Sequence, residues 1–208
     1  LIMPSFLAPL QQKLRDATVL GRLYFSERRA FHIIREVMNY RLTYLDAAAL
    51  ADLYRSVARV EAENRPGVLI EAGVALGGSS LVMATAKREQ RPFYMYDAFE
   101  MIPPPSEQDG VDAHSRYQVI ASGRADGIRS EPYYGYRNNL YEQVQQTLQK
   151  AGFIPDRHHI KMVRGFYEDT LQVEEPVALA HLDCDWYDSV MICLERIEPH
   201  LVPGGTII

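Results

Sequence analysis

From Val68 onward, short apolar runs alternate with stretches of helical spacing, and this rhythm constrains the fold more than any other feature of the chain. Val68–Ile70, Phe93–Tyr96, His159–Val163, Val177–Leu182 and Thr206–Ile208 read as strands. Between them Ser79–Lys87, Asn139–Ala151 and Trp186–Ile197 carry helical periodicity. Strands that alternate with helices form a parallel sheet whose crossover helices cover its faces. Ligands of such sheets gather beyond the carboxyl ends of the strands, so the residues that end each strand carry the functional argument.

Residues 1–67 lack this rhythm and read as a helical N-terminal cap. Ser26 is expected to cap a helix with Phe31, Ile34, Met38 and Leu42 on one face. Asp46 is expected to cap a second, with Leu50, Leu53, Val57 and Val60 on one face and Pro66-Gly67 ending it. Such helices pack on the core or pair with another subunit, which makes a homo-oligomer through them one expectation. The core is residues 68–208, with an insertion at about 101–137 that holds Pro103, Pro104, Pro105, Pro132, Tyr133, Tyr134 and Tyr136. A connection of this length without periodicity is the signature of a lid or binding loop.

The 208 residues suffice for one α/β domain with helical decoration. The net charge of −5, without a basic run, argues against a nucleic-acid partner. No stretch is apolar for long enough to span a membrane. Pro4, Gln11, Gln12 and Lys13 interrupt any apolar leader, and Cys184 and Cys193 are too few for a disulfide framework. The chain is therefore expected to work in the cytoplasm with reduced thiols.

The first strand leads into Glu71-Ala72-Gly73-Val74-Ala75-Leu76-Gly77-Gly78-Ser79. A glycine-rich turn lets backbone approach a ligand, and the N-terminus of the next helix offers free N–H groups. A pyrophosphate-binding turn needs glycine where Ala75 stands. Adenosylmethionine has no pyrophosphate, and Glu71 fits the pattern E/D-x-G-x-G-x-G of its sites, with Ala75 the one departure. The second strand ends at Asp97, twenty residues after Gly77. An acid there accepts hydrogen bonds from ribose hydroxyls, or it serves as a turn aspartate.

The fourth strand ends in Asp183-Cys184-Asp185. Carboxylates at a strand end supply oxygen ligands to a hard cation such as Mg²⁺. If the chain stays extended, the two side chains point to opposite faces, leaving one direct ligand. Asp183 is the preferred metal residue, and Asp185 suits a helix cap. His181 either faces the same side or is a core histidine satisfied by its neighbours, the second reading being preferred. His114, His158 and His159 read as surface residues. The tyrosines at 133, 134 and 136 line an acceptor pocket or form a half-buried cluster on the lid.

Four blocks in this order resemble the macrocin O-methyltransferase family: Leu69–Ser80, Tyr96–Asp109, Val163–Leu171, and Ala178–Ser189 with Pro203-Gly204-Gly205 beyond. The resemblance implies a Rossmann-like class I methyltransferase fold. It implies methyl transfer from S-adenosylmethionine to a sugar or phenolic hydroxyl of a small molecule, with Mg²⁺ bound by three aspartates. Glu71, Gly73 and Ser79 would then lie on the cofactor loop with Gly77, Asp97 would meet the ribose, and Gly165 and Phe166 would lie near the adenine. Asp183 would be a metal ligand and the general base. The family often has Ser and Gly where Ala98 and Met101 stand, and its other two metal aspartates and last strands are expected beyond Ile208. Two rival readings are a glycosyltransferase that uses 183–185 as a DxD motif, and a non-catalytic scaffold of the same fold.

Overall fold

A computed structural model describes residues 8–208, so Pro4 lies outside the described residues. Three helices come first: α1 (Ala8–Ser26), α2 (Arg28–Asn39) and α3 (Ala47–Ala62). The alternating part follows as β1 (Val68–Ala72), α4 (Gly78–Ala86), β2 (Phe93–Asp97), α5 (Val111–Ala121), α6 (Leu140–Lys150), β3 (Ile160–Arg164), α7 (Tyr167–Thr170), β4 (Val177–Leu182), α8 (Tyr187–Ile197) and β5 (Leu201–Ile207). The strands form one parallel sheet in the order β3-β2-β1-β4-β5. Strand order runs one way from β1 to β3 and the other way from β4 to β5. The crevice between the carboxyl ends of β1 and β4 is therefore the switch point at which such sheets bind ligands.

All five strands lie where the apolar runs place them, but their ends differ. β1 continues through Ala72 and β2 through Asp97, so Glu71 and Asp97 are strand residues. β5 begins at Leu201 and carries Pro203, which is tolerated because β5 pairs with β4 alone among the described residues.

Asp46 caps α3 as expected, accepting from the Ala49 amide at 2.8 Å. Leu50, Leu53, Val57 and Val60 all face the interior. Ser26 does not cap α2: its hydroxyl donates back to the Arg22 carbonyl at 3.0 Å and ends α1, and Glu27 precedes α2 without a side-chain cap. The buried stripe of α2 is Ala30, Ile33, Ile34 and Val37, slightly rotated from the expected one. α5 lies inside the segment read as irregular. It buries only Ile120, and a helix with one buried residue leaves no stripe to read.

Two apolar layers sandwich the sheet. On one face, α1–α4 and α6 pack on Leu69, Phe93, Met95 and Leu179. On the other, Cys193 and Ile197 of α8 with Leu171 pack on Val68, Ile70, Ala72 and Ala180. The described part of the N-terminal helices thus shares one core with the sheet. A fully buried Leu50 in that core contributes about 2 kcal/mol relative to exposure.

Candidate active site

Gly73 follows β1 with φ +97°, a left-handed conformation that favours glycine. A side chain here would strike the Asp183 carbonyl, because β4 leaves the sheet directly against it. The Asp183 amide donates to the Ala72 carbonyl at 2.8 Å and fixes this close approach. Asp183 is thereby set beside the first glycine of the turn, although 110 residues separate them in sequence.

Asp97 closes the turn from the neighbouring strand. One carboxylate oxygen accepts from the amides of Val74 and Ala75 at 2.8 and 2.9 Å, and the other from Phe99 at 2.6 Å. Ala75 and Phe99 have φ +48° and +53°, so Asp97 holds two non-glycine residues in a conformation costing about 1–2 kcal/mol each. This is how the turn tolerates alanine in a glycine place. Burial raises the Asp97 pKa above the ordinary 3.8, the three amides pull it down, and the nearby Glu71 charge adds to the rise.

Gly73, Asp97 and Phe166 line the crevice, together with Gly165, Glu100, Ile102 and Pro103. Glu71, Gly77 and Ser79 do not. Glu71 is wholly buried, accepts from the Ser80 hydroxyl, and lies 3.2 Å from His181 Nδ1. It points into the α4 side of the sheet, in register with His181 on β4. Gly77 turns the chain into α4 against Val144, and Ser79 lies buried in the first turn of that helix. Nor is that N-terminus open as the sequence suggested, because the Gly78 amide donates to the Leu42 carbonyl at 3.0 Å.

His181 is a core histidine, satisfied by Glu71. Burial opposes its cation, but the hydrogen bond to Glu71 and that residue's charge outweigh burial and hold its pKa above 6.5. Asp183 and Asp185 do not point to opposite faces. β4 ends at Leu182, the extended alternation stops there, and both carboxylates line the same crevice. Burial raises both pKa values: His181 partly offsets the rise at Asp183, and the Asp183 charge adds to it at Asp185. Neither aspartate has an ion-pair partner within 4 Å among the described residues. The described residues hold no group of three or more potential metal ligands.

The crevice has two lobes that share Asp183, Asp185, Ile102, Tyr134 and Trp186. The first is the one around Gly73, Asp97 and Phe166. The second, a cavity of about 330 Å³, lies under the lid and is walled by Tyr44, Leu45, Arg116, Ile120 and Tyr133. Tyr136 belongs to neither lobe: its hydroxyl donates to the Ile120 carbonyl at 2.6 Å and accepts from the Ala125 amide, stitching the lid together. The lid is tied across the crevice by Trp186 Nε1 donating to the Pro103 carbonyl at 2.8 Å and by Asp109 accepting from the Tyr187 amide at 2.9 Å. Sequence reasoning missed Ser80, Tyr44 and Arg116. A serine nine residues after Glu71 signals nothing alone, and the other two reach the site only through tertiary packing. His158 is partly buried, where the sequence suggested a surface residue, and its carbonyl accepts from Lys87.

A family model described as macrocin-O-methyltransferase (TylF) matches residues 24–208. The 8-demethyl-8-(2,3-dimethoxy-alpha-L-rhamnosyl)-tetracenomycin-C 4'-O-methyltransferase of Streptomyces olivaceus is 30% identical over 202 residues, covering 93% of this chain and 72% of its own. Among solved structures, the O-methyltransferase NovP superposes with a TM-score of 0.65 at 20% identity, over 96% of this chain and 82% of its own. The adenosylhomocysteine (SAH)-bound methyltransferase PaMTH1 of Podospora anserina does so with 0.54 at 12% identity, over 100% and 70%. These structural likenesses show a Rossmann-like methyltransferase fold, and the match over residues 24–208 shows that the chain belongs to the macrocin O-methyltransferase family.

Proposed function

We propose that this chain transfers the methyl group of S-adenosylmethionine to a hydroxyl of a small natural-product molecule, a sugar hydroxyl above a phenolic one, with Mg²⁺ assisting. One observation carries the reading: a lobe built on Gly73, Asp97 and Phe166 meets a second, aromatic lobe at the two carboxylates Asp183 and Asp185. A donor in the first lobe and an acceptor in the second would face each other across these carboxylates. Sugar preference rests on the Streptomyces relative, whose printed name describes a rhamnosyl substrate. Family membership leaves the glycosyltransferase reading of residues 183–185 without support.

Methyl transfer is an in-line displacement at a carbon already activated by the sulfonium. The protein has to align the two oxygen- and sulfur-bearing partners, and orientation alone supplies up to about 7–11 kcal/mol in well-aligned systems. Gly73 lines the donor lobe, and Asp97 orders the turn while keeping one of its roughly four acceptor sites free for a ribose hydroxyl. Asp183 would take the hydroxyl proton, a role that its position between the two lobes and its raised pKa support.

The donor set also fits the cation. The two carboxylates line one crevice, have no ion pair within 4 Å among the described residues and have raised pKa values, and a hard divalent ion would favour their ionised forms through oxygen ligands. Asp183 and Asp185 would hold it as part of a larger set, and the ion would lower the pKa of the acceptor hydroxyl.

Titration with adenosylhomocysteine, with and without Mg²⁺, tests the cofactor, and turnover with and without EDTA tests the metal. We expect cofactor binding without metal, loss of turnover in EDTA, and Asp183→Asn to bind the cofactor while losing most turnover. Absence of adenosylhomocysteine binding defeats the whole reading. Full activity of Asp183→Asn defeats the metal and base assignments. Cofactor binding without turnover under any metal leaves the scaffold reading.

A further inference from the structure

We infer that the N-terminal cap and the lid form a further subsite beside the acceptor lobe. It holds the part of the acceptor that does not react, an uncharged ring system joined to the sugar through its glycosidic oxygen. The inference rests on the sugar-hydroxyl reading proposed above.

A cavity of about 240 Å³ lies between the loop of residues 40–46, which joins α2 to α3, and the lid. Tyr44 and Tyr134 line both this cavity and the acceptor lobe, with their rings 6.3 Å apart and tilted. Tyr44 is 56% exposed, so it stands at the surface as a crest between two open cavities and does not seal one from the other. A ligand of two rings can lie across that crest. On a pyranose the hydroxyls opposite the anomeric carbon would then reach Asp183 and Asp185, and the glycosidic bond would lead away from them into the second cavity.

The fold fixes the wall of this cavity. The Gly78 amide donates to the Leu42 carbonyl at 3.0 Å, and any side chain at Gly78 would strike that carbonyl. This contact ties the loop to the start of α4, while Leu76 of the glycine turn lines the cavity itself. Arg41 has φ +57°, a left-handed conformation unfavourable for a residue with a side chain. Its guanidinium reaches Glu131 of the lid at 2.8 Å, so cap and lid grip each other at the cavity.

The lining selects the occupant. Arg41 is engaged by Glu131, and Arg137 donates to the Gln143 side chain at 2.8 Å. With both guanidinium groups held in this way, the cavity offers mainly aromatic and aliphatic faces, from Tyr40, Tyr44, Leu76 and Ile128 among others. Tyr40 is 71% exposed, an aromatic ring left bare at a cavity mouth. Such faces suit a flat uncharged ring better than a phosphate or a carboxylate.

The test is calorimetric titration of the full chain, saturated with adenosylhomocysteine in Mg²⁺ buffer. Methyl α-L-rhamnopyranoside is compared with 2-naphthyl α-L-rhamnopyranoside, which carries the same sugar and adds a flat ring. We expect the naphthyl glycoside to bind about tenfold more tightly, the gain from one ring stacked against tyrosine and removed from water. Tyr40→Ala removes an exposed ring, and Ile128→Trp fills the cavity. Each should abolish most of that preference while the affinities for the methyl glycoside and adenosylhomocysteine stay the same. Equal affinities of the two glycosides in the unmutated chain, or a preference that survives both substitutions, overturns the subsite alone. Binding of neither glycoside by a chain that binds adenosylhomocysteine defeats the sugar-acceptor reading, and the subsite with it. Absence of adenosylhomocysteine binding would instead defeat the methyltransferase reading.

Discussion

Asp97 shows how one residue can join fold and site. Its carboxylate accepts from three backbone amides, and two of those belong to residues with left-handed backbone. The sequence offered a turn aspartate and a ribose ligand as alternatives, and the structure shows the turn role in full while leaving the side chain on the crevice. Asp97→Ala is therefore expected to lower stability in urea unfolding and also to weaken adenosylhomocysteine binding by on the order of 1.5–3 kcal/mol, the value of a hydrogen bond to a charged group. Calorimetry on the folded variant separates the two roles. Unchanged affinity would leave Asp97 a turn residue alone.

At the scale of elements, the lid depends on a few polar ties to the start of α8. Asp109 is the main one, accepting from the Tyr187 amide and from both the amide and hydroxyl of Ser106. Its slight burial works against ionisation, but the Tyr187 and Ser106 bonds prevail and hold its pKa below 3.8. A carboxylate with a depressed folded pKa stabilises above its unfolded value, and this contribution is lost as pH falls through the folded value. The anchor is thus intact at neutral pH and released only in acid below 3.8. Asp109→Ala should loosen the lid at neutral pH, seen as faster proteolytic cleavage within about residues 101–137 with little change in the unfolding midpoint. Cleavage at the unmutated rate would show that Trp186 and the buried tyrosines hold the lid without it.

For the whole molecule, the site exists because two chain segments distant in sequence run side by side. The bare Gly73 backbone lies against the Asp183 carbonyl, and the ladder between β1 and β4 fixes both. Gly73→Ala forces a side chain between them and imposes a left-handed alanine. Together these should cost about 2–4 kcal/mol, read as a lower urea midpoint at an unchanged slope. Displacement of Asp183 should also remove turnover before the fold is lost. Native stability of Gly73→Ala would mean that the strands can part without cost.

What the sequence determined by itself is the layout: five strands, most helices, the glycine turn and the residues that end β1, β2 and β4. Local periodicity and turn chemistry are properties of neighbouring residues, and a short window carries them. Even so, α5 was illegible, because a helix burying only Ile120 has no stripe, and Ser26 lost its capping role to a bond with its own preceding turn. Tertiary structure alone decided which site candidates face the crevice. Gly73, Asp97, Phe166 and Asp183 do, while Glu71 and Ser79 turn into the core. It also brought Asp185 to the same wall as Asp183 and carried Tyr44 and Arg116 to the second lobe. The physical reason is that side-chain direction at a strand end and contact between distant segments depend on the packing of the whole sheet, which no local pattern records.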